Sequence, residues 1–229
     1  MLKPQKKVSR REIKEDKLVT AYFETRSWME QNTKILSYVV IGLVGIAVVG
    51  FLWSKNRADS NDKATTMLAK ISQYYDAGKY DLAVNGVPQE GTQGLQAIVD
   101  EHGSTKTGQL AKLYLANSYY ALKNYDKALE CYDDISVSDK LVSASALAGA
   151  AACYEAKGDL SKAASYFEKA ASKNMTPIQA PENLQRSAAD YAAAGKKEKA
   201  VELLQTLKKE FPASTYARDV DRFIAEYSS

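Results

Sequence analysis

Residues Ile35 to Trp53 read ILSYVVIGLVGIAVVGFLW, nineteen in a row without a charge. At about 1.5 Å per residue a helix of that length spans roughly 28 Å, close to the ~30 Å hydrocarbon core of a bilayer. In lipid a lone segment must satisfy its own backbone polar groups, so the run is expected to be helical. Tyr38 and Trp53 stand near its ends, where amphipathic rings favour the membrane interface. A cleaved signal peptide would have a shorter apolar region behind a short basic segment. Here 34 residues precede the run and Ser54-Lys55-Asn56 follow it, which favours an uncleaved anchor.

The charges divide around this span. Residues 1–34 hold nine of the 31 basic residues (Lys3, Lys6, Lys7, Arg10, Arg11, Lys14, Lys17, Arg26, Lys34) and five of the 28 acidic ones. That leaves 22 basic and 23 acidic residues for 54–229, so the net charge of +3 belongs to the arm. Basic flanks stay in the cytoplasm, which predicts the N-terminus inside and residues 54–229 outside. A nucleic-acid partner would need a basic face on the folded domain, and none is expected. Within the arm, Lys17–Gln31 mixes Leu18, Val19, Tyr22, Phe23, Trp28 and Met29 with charge. It is either an amphipathic helix on the cytoplasmic leaflet or a solvated, partly helical arm.

Beyond the span a pattern recurs. Three segments align: Tyr119-x3-Lys123-Asn124-Tyr125-x2-Ala128-x3-Tyr132, Tyr154-x3-Gly158-Asp159-Leu160-x2-Ala163-x3-Phe167 and Tyr191-x3-Gly195-Lys196-Lys197-x2-Ala200-x3-Leu204. A truncated copy, Tyr74-x3-Gly78-Lys79-Tyr80-x2-Ala83, precedes them. The alanines fall 45, 35 and 37 residues apart. Each copy reads as a helix A, a tight turn and a helix B. Ala116, Ala151 and Ala188 let helix A approach helix B, and the Tyr three positions on shares that face. Gly158 and Gly195 suit a left-handed helix end. Ala128, Ala163 and Ala200 mark the closest contact on helix B. Pro212 stops the last helix B, and Pro177 and Pro181 occupy a widened join.

The first copy departs from this plan. Its helix B is interrupted by Asn85-Gly86-Val87-Pro88 and Gly91-Thr92-Gln93-Gly94. A short helix, Leu95–Asp100, should follow before Ser104-Thr105 caps the next one. At the far end Thr215–Tyr227 has helical apolar spacing through Tyr216, Val220, Phe223 and Ile224, and would cap the stack. The expected architecture is therefore all-α. It comprises a basic arm (1–34), a transmembrane helix (35–53), a degenerate first repeat (54–104), three repeats (105–213) and a capping helix (214–229).

These repeats, over roughly 64–213, resemble the tetratricopeptide repeat (TPR) superfamily. The order of arm, span and repeats resembles one group within it. That group is the single-span bacterial ancillary subunit of the Sec translocon. The likeness also runs through Leu18-Val19, Tyr22-Phe23, Glu30-Gln31-Asn32-x-Lys34 and Ile41-Gly42-x-Val44-Gly45. Asn174-Met175-Thr176-Pro177-Ile178 is similar to the join in membrane TPR proteins of Bacteroidetes and Chlorobi. The resemblance implies a bacterial inner-membrane protein with a periplasmic domain. Its implied partners are the translocon, periplasmic chaperones or secreted chains, besides the lipid bilayer itself. An assembly factor for cytochrome maturation, outer-membrane assembly or division is the alternative.

TPR stacks bind partners on the concave surface formed by helices A. The expected groove residues are Leu68 and Tyr75 in the first copy and Leu110, Leu113, Asn117 and Tyr120 in the second. Glu155 follows in the third and Gln185 in the fourth. TPR domains that clamp a C-terminal carboxylate use Lys, Asn and Arg here. Asn117 and Arg186 match two such positions, but Leu113, Gly149 and Glu182 stand at the others, so that mode is not expected. An apolar or helical peptide against Leu113, Tyr120 and Tyr75 fits better.

No catalytic chemistry is legible, and an enzyme is not expected. The one His, His102, reads as a helix C-terminal residue. There is no phosphate-binding loop or dinucleotide fingerprint, and no cofactor, metal or small-molecule substrate is expected. Cys131 and Cys153 fall on adjoining helices and either pair or pack as small apolar groups.

Overall fold

The computed structural model describes residues 10–228. Lys3, Lys6 and Lys7 of the basic arm lie outside the described residues. The chain forms two compact units, 1–56 and 57–229.

In the first unit, helix α1 covers Arg10–Gln31, and α2, Thr33–Asp76, begins after a one-residue break. Within the described residues the arm is therefore helical from Arg10 to Gln31. Its apolar residues are not gathered into one stripe, and Tyr22, Phe23, Trp28 and Met29 are all exposed. Ile35–Trp53 lies within α2, and every residue of it except the half-buried Leu36 is exposed. Among the described residues this is one helix long and apolar enough to cross a membrane.

The second unit is an α-solenoid. The end of α2 is the first helix A. Then come α3 (Tyr80–Asn85), α4 (Leu95–His102), α5 (Lys106–Ala121), α6 (Tyr125–Asp133), α7 (Lys140–Ala156), α8 (Leu160–Lys173), α9 (Ala180–Ala193), α10 (Lys197–Glu210) and α11 (Val220–Tyr227). Helices α5, α7 and α9 are the later A helices, and α6, α8 and α10 are their B partners.

The A-to-B corner is the same in all four copies. The backbone N–H of Gly78, Lys123, Gly158 and Gly195 donates to the carbonyl three residues back, on Tyr75, Tyr120, Glu155 and Ala192. The next N–H donates to the repeat tyrosine, on Tyr74, Tyr119, Tyr154 and Tyr191, at 2.8–2.9 Å. This double closure needs a left-handed residue at the corner, and φ there is +70°, +60°, +81° and +79°. Lys123 alone of the four carries a side chain in that region. The helix-B alanines Ala83, Ala128, Ala163 and Ala200 are each wholly buried, as close A–B approach requires.

The first copy keeps the corner but splits helix B. Between α3 and α4 the chain makes a two-stranded hairpin, β1 (Gly86–Val87) and β2 (Thr92–Gln93), around a 3-10 turn at Pro88–Glu90. The hairpin accounts for the long, 45-residue alanine spacing. Tyr74 Oη donates to Glu90 at 2.5 Å and holds the hairpin tip against helix A. The short helix expected after it extends to His102, and Thr105 caps α5 by accepting from Gly108 N at 3.0 Å.

Two apolar clusters hold the stack. One runs from Ala64, Leu68 and Ile71 through Leu113, Leu115 and Tyr132 to Cys153. The other runs from Ala164 and Ala171 through Leu184 and Leu207 to Val220. The C-terminal segment begins as a 3-10 turn at Thr215–Ala217 and becomes α-helical at Val220, later than its apolar spacing predicts. Its Tyr216, Val220, Phe223 and Ile224 close the second cluster.

Candidate partner-binding surface

The expected groove residues lie in three settings. Leu68 and Leu113 belong to the core, each only 8% exposed. Leu110 is half-buried and lines a hollow of about 650 Å³ with Arg57, Thr107 and Val142, at the N-terminal ends of α5 and α7.

Tyr75 and Asn117 form a closed polar network. Tyr75 stacks on Tyr114 with ring centroids 4.7 Å apart. Asn117 Nδ2 donates to Tyr75 Oη at 3.1 Å, and Tyr132 Oη donates to Asn117 Oδ1 at 2.6 Å. Burial raises the Tyr75 pKa, and the bond from Asn117 partly offsets it. The Tyr132 ring passes directly over Gly149, where a Cβ would run into the ring. Gly149 is thus a packing residue that admits Tyr132.

The third setting joins α5, α7 and α9. Tyr120 is 37% exposed and meets Tyr125 at 5.6 Å between ring centroids. Burial raises its pKa; among the nearby charges Arg186 lowers it and Glu155 raises it. Glu155 accepts a close ion pair from Arg186 Nη2. The guanidinium also lies 4.1 Å from the centre of the Phe167 ring. Arg186 is held on both sides, which explains why it would make a poor clamp for a peptide carboxylate. Gln185, its neighbour, is half-buried.

Asp190 sits one turn beyond Arg186 on α9 and falls outside the expected set. It is only 6% exposed, and its Oδ2 is buried without a hydrogen-bond partner. Burial pushes its carboxyl up to about 6, Glu155 pushes the same way and Arg186 opposes them. One signal of it is legible in the chain. Asp190 is in the final turn of α9, where the negative end of the helix disfavours a carboxylate.

His102 is buried at the end of α4, and its Nδ1 lies 2.8 Å from Ser60 Oγ, which pins α4 to α2. Cys131 and Cys153 are free thiols, and burial raises them to about 11 and about 12. Among the described residues no group of His, Cys, Asp and Glu is placed to hold a metal ion.

The tetratricopeptide repeat profile matches residues 110–136 and 182–214. No curated protein matches the sequence. Among solved structures the chain is similar to nearly identical TPR-like repeats assigned to a kinesin light chain of Podosopora anserina. That likeness is at 15% identity with TM-score 0.54, covering 73% of this chain and 86% of that one. A point variant of the same repeat protein gives 15% and 0.54 over 73% and 85%. At that identity the likeness speaks for fold. Two matched segments and the fourfold corner identify the helical unit as a TPR-type α-solenoid, a scaffold for protein–protein interaction.

Proposed function

We propose that this protein is a membrane-anchored, non-enzymatic TPR adaptor of the bacterial envelope. Its N-terminus lies in the cytoplasm and its solenoid in the periplasm. There it holds protein partners beside the Sec translocon and assists transfer of secreted chains to periplasmic chaperones. The carrying observation is an uncovered apolar helical run followed by a TPR stack. Eighteen of the nineteen residues from Ile35 to Trp53 are exposed, and water is a poor solvent for so large an apolar surface. The basic arm supports the orientation, and the resemblance in domain order supports the translocon as partner. Tyr75, Leu110, Tyr120, Glu155 and Gln185 are the groove residues open enough to reach a partner. Leu68 and Leu113 support that surface from within, and Asn117 sets the Tyr75 ring.

Crosslinking in intact membranes followed by affinity recovery tests the partner. Recovery of the translocon channel is expected. Enrichment of a cytochrome-maturation, outer-membrane-assembly or division complex instead would transfer the role to that process. Protease added to the periplasmic face should digest 54–229 and spare the arm; digestion only after the cytoplasm is opened would reverse the topology.

A further inference from the structure

The seam between α7 and α9 gathers more negative than positive charge. Glu155 is in the final turn of α7 and Asp190 in the final turn of α9, and neither final turn holds a basic residue. Both carboxylates therefore sit at the negative ends of their helices, the unfavourable end for an acid. Arg186 offsets one charge and is engaged by Glu155 and the Phe167 ring. Lys157, just past α7, pairs with Asp126 of α6. On the other side of α9, Lys199 pairs with Glu168 at 3.0 Å, and Tyr191 Oη donates to Glu168 at 3.1 Å. Both lysines are thus engaged away from the seam. Asp190 keeps a buried oxygen with no donor. A buried acceptor left unpaired lowers stability, and sequences break local rules of this kind mostly at functional sites. The missing group is a hydrogen-bond donor, and the surplus negative charge beside it favours a cationic one. The exposed Tyr120 ring, at the end of α5 and within electrostatic reach of Arg186 and Glu155, offers such a cation a π surface.

We infer that Tyr120, Glu155, Arg186 and Asp190 form a subsite for one lysine or arginine side chain of a bound polypeptide. The inference rests on the groove reading above and adds the chemistry of one anchor. The ammonium or guanidinium supplies the donor that Asp190 lacks, and Arg186 holds Glu155 in position. An acidic anchor is disfavoured there by both carboxylates.

The test uses the full chain in lipid nanodiscs and a displayed library of random 12-residue peptides. Enriched peptides are expected to carry Lys or Arg at one fixed place relative to their apolar residues. Replacing that residue by Met should weaken binding to the native protein roughly tenfold and binding to Asp190→Asn by no more than about twofold. Thermal melts confirm that Asp190→Asn is folded; Glu155→Gln is the second variant, with a smaller loss of basic preference expected. Enriched peptides with no basic position overturn the subsite and leave the groove standing. An equal loss in native protein and Asp190→Asn does the same. No enrichment at all overturns both.

Discussion

Two of the polar clusters that join the helices of this solenoid are finished differently. Across the first three copies, Tyr75, Asn117 and Tyr132 form a bonded chain over Gly149. Asn117 uses both ends of its amide, and neutral groups answer neutral groups. Between the third and fourth copies, Glu155 and Arg186 pair, but Asp190 is left with an unanswered oxygen. A satisfied buried network rigidifies; a partly satisfied one destabilises. The first cluster therefore belongs to stability. The second lowers stability, as an unpaired buried acceptor does.

If the first cluster is structural, damage there should have the largest effect. Gly149→Ala puts a methyl group into the Tyr132 ring, and overpacking of this kind costs about 2–3 kcal/mol. Urea unfolding should show the midpoint drop; an unchanged midpoint would mean that the ring can step aside. Asn117→Ala removes both bonds and orphans the Tyr132 hydroxyl, with an expected loss of about 2 kcal/mol. Tyr75→Phe in that background should add little, since its partner is already gone.

The second cluster should respond with the opposite sign. The Asp190 carboxyl is raised from 3.8 to about 6, burial being the largest cause, with Glu155 adding and Arg186 opposing. The folded state then holds the proton more tightly than the unfolded one. Its contribution is most favourable below about pH 4, declines as pH rises to about 6, and is flat above. Asp190→Asn should accordingly raise stability at pH 7.5 by up to about 3 kcal/mol and change little at pH 4. Melts of both proteins across that range check it. Destabilisation by Asn at pH 7.5 would place Asp190 with the structural cluster and erase the contrast.

The difference in legibility follows the same division. Helix pairing can be read from Tyr, Gly and Ala positions, because the close A–B approach and the left-handed corner each admit few residue types. The interruption of the first helix B is legible from Asn85-Gly86 and Gly91 through Gly94, and its hairpin follows from those turn residues. Groove membership is harder. Leu68 and Leu113 have the helical register of the groove yet turn into the core, since one A helix packs against both its own B helix and the preceding copy. Gly149 reads as a vacant clamp position until Tyr132, from the preceding helix B, is placed on it. Asp190 depends on the seam between helices from different copies, and only its poor fit to a helix C-terminus shows in the chain.

The smallest effect separates corner from seam. Lys123 occupies the left-handed corner that Gly occupies in the other three copies. A side chain in that region costs roughly 1 kcal/mol, and Gly gives back part of the gain through its freer unfolded chain. Lys123→Gly should therefore stabilise by about 0.5 kcal/mol, readable as a small rise in the urea midpoint. The substitution makes all four corners alike while leaving both polar clusters intact. Because Lys123 makes none of the cluster contacts, its gain should add to that of Asp190→Asn in the double variant. A shortfall would show that the corner of the second copy and the seam of the fourth are coupled through Tyr120, whose carbonyl accepts from Lys123 N. The corner and the seam would then be parts of one unit.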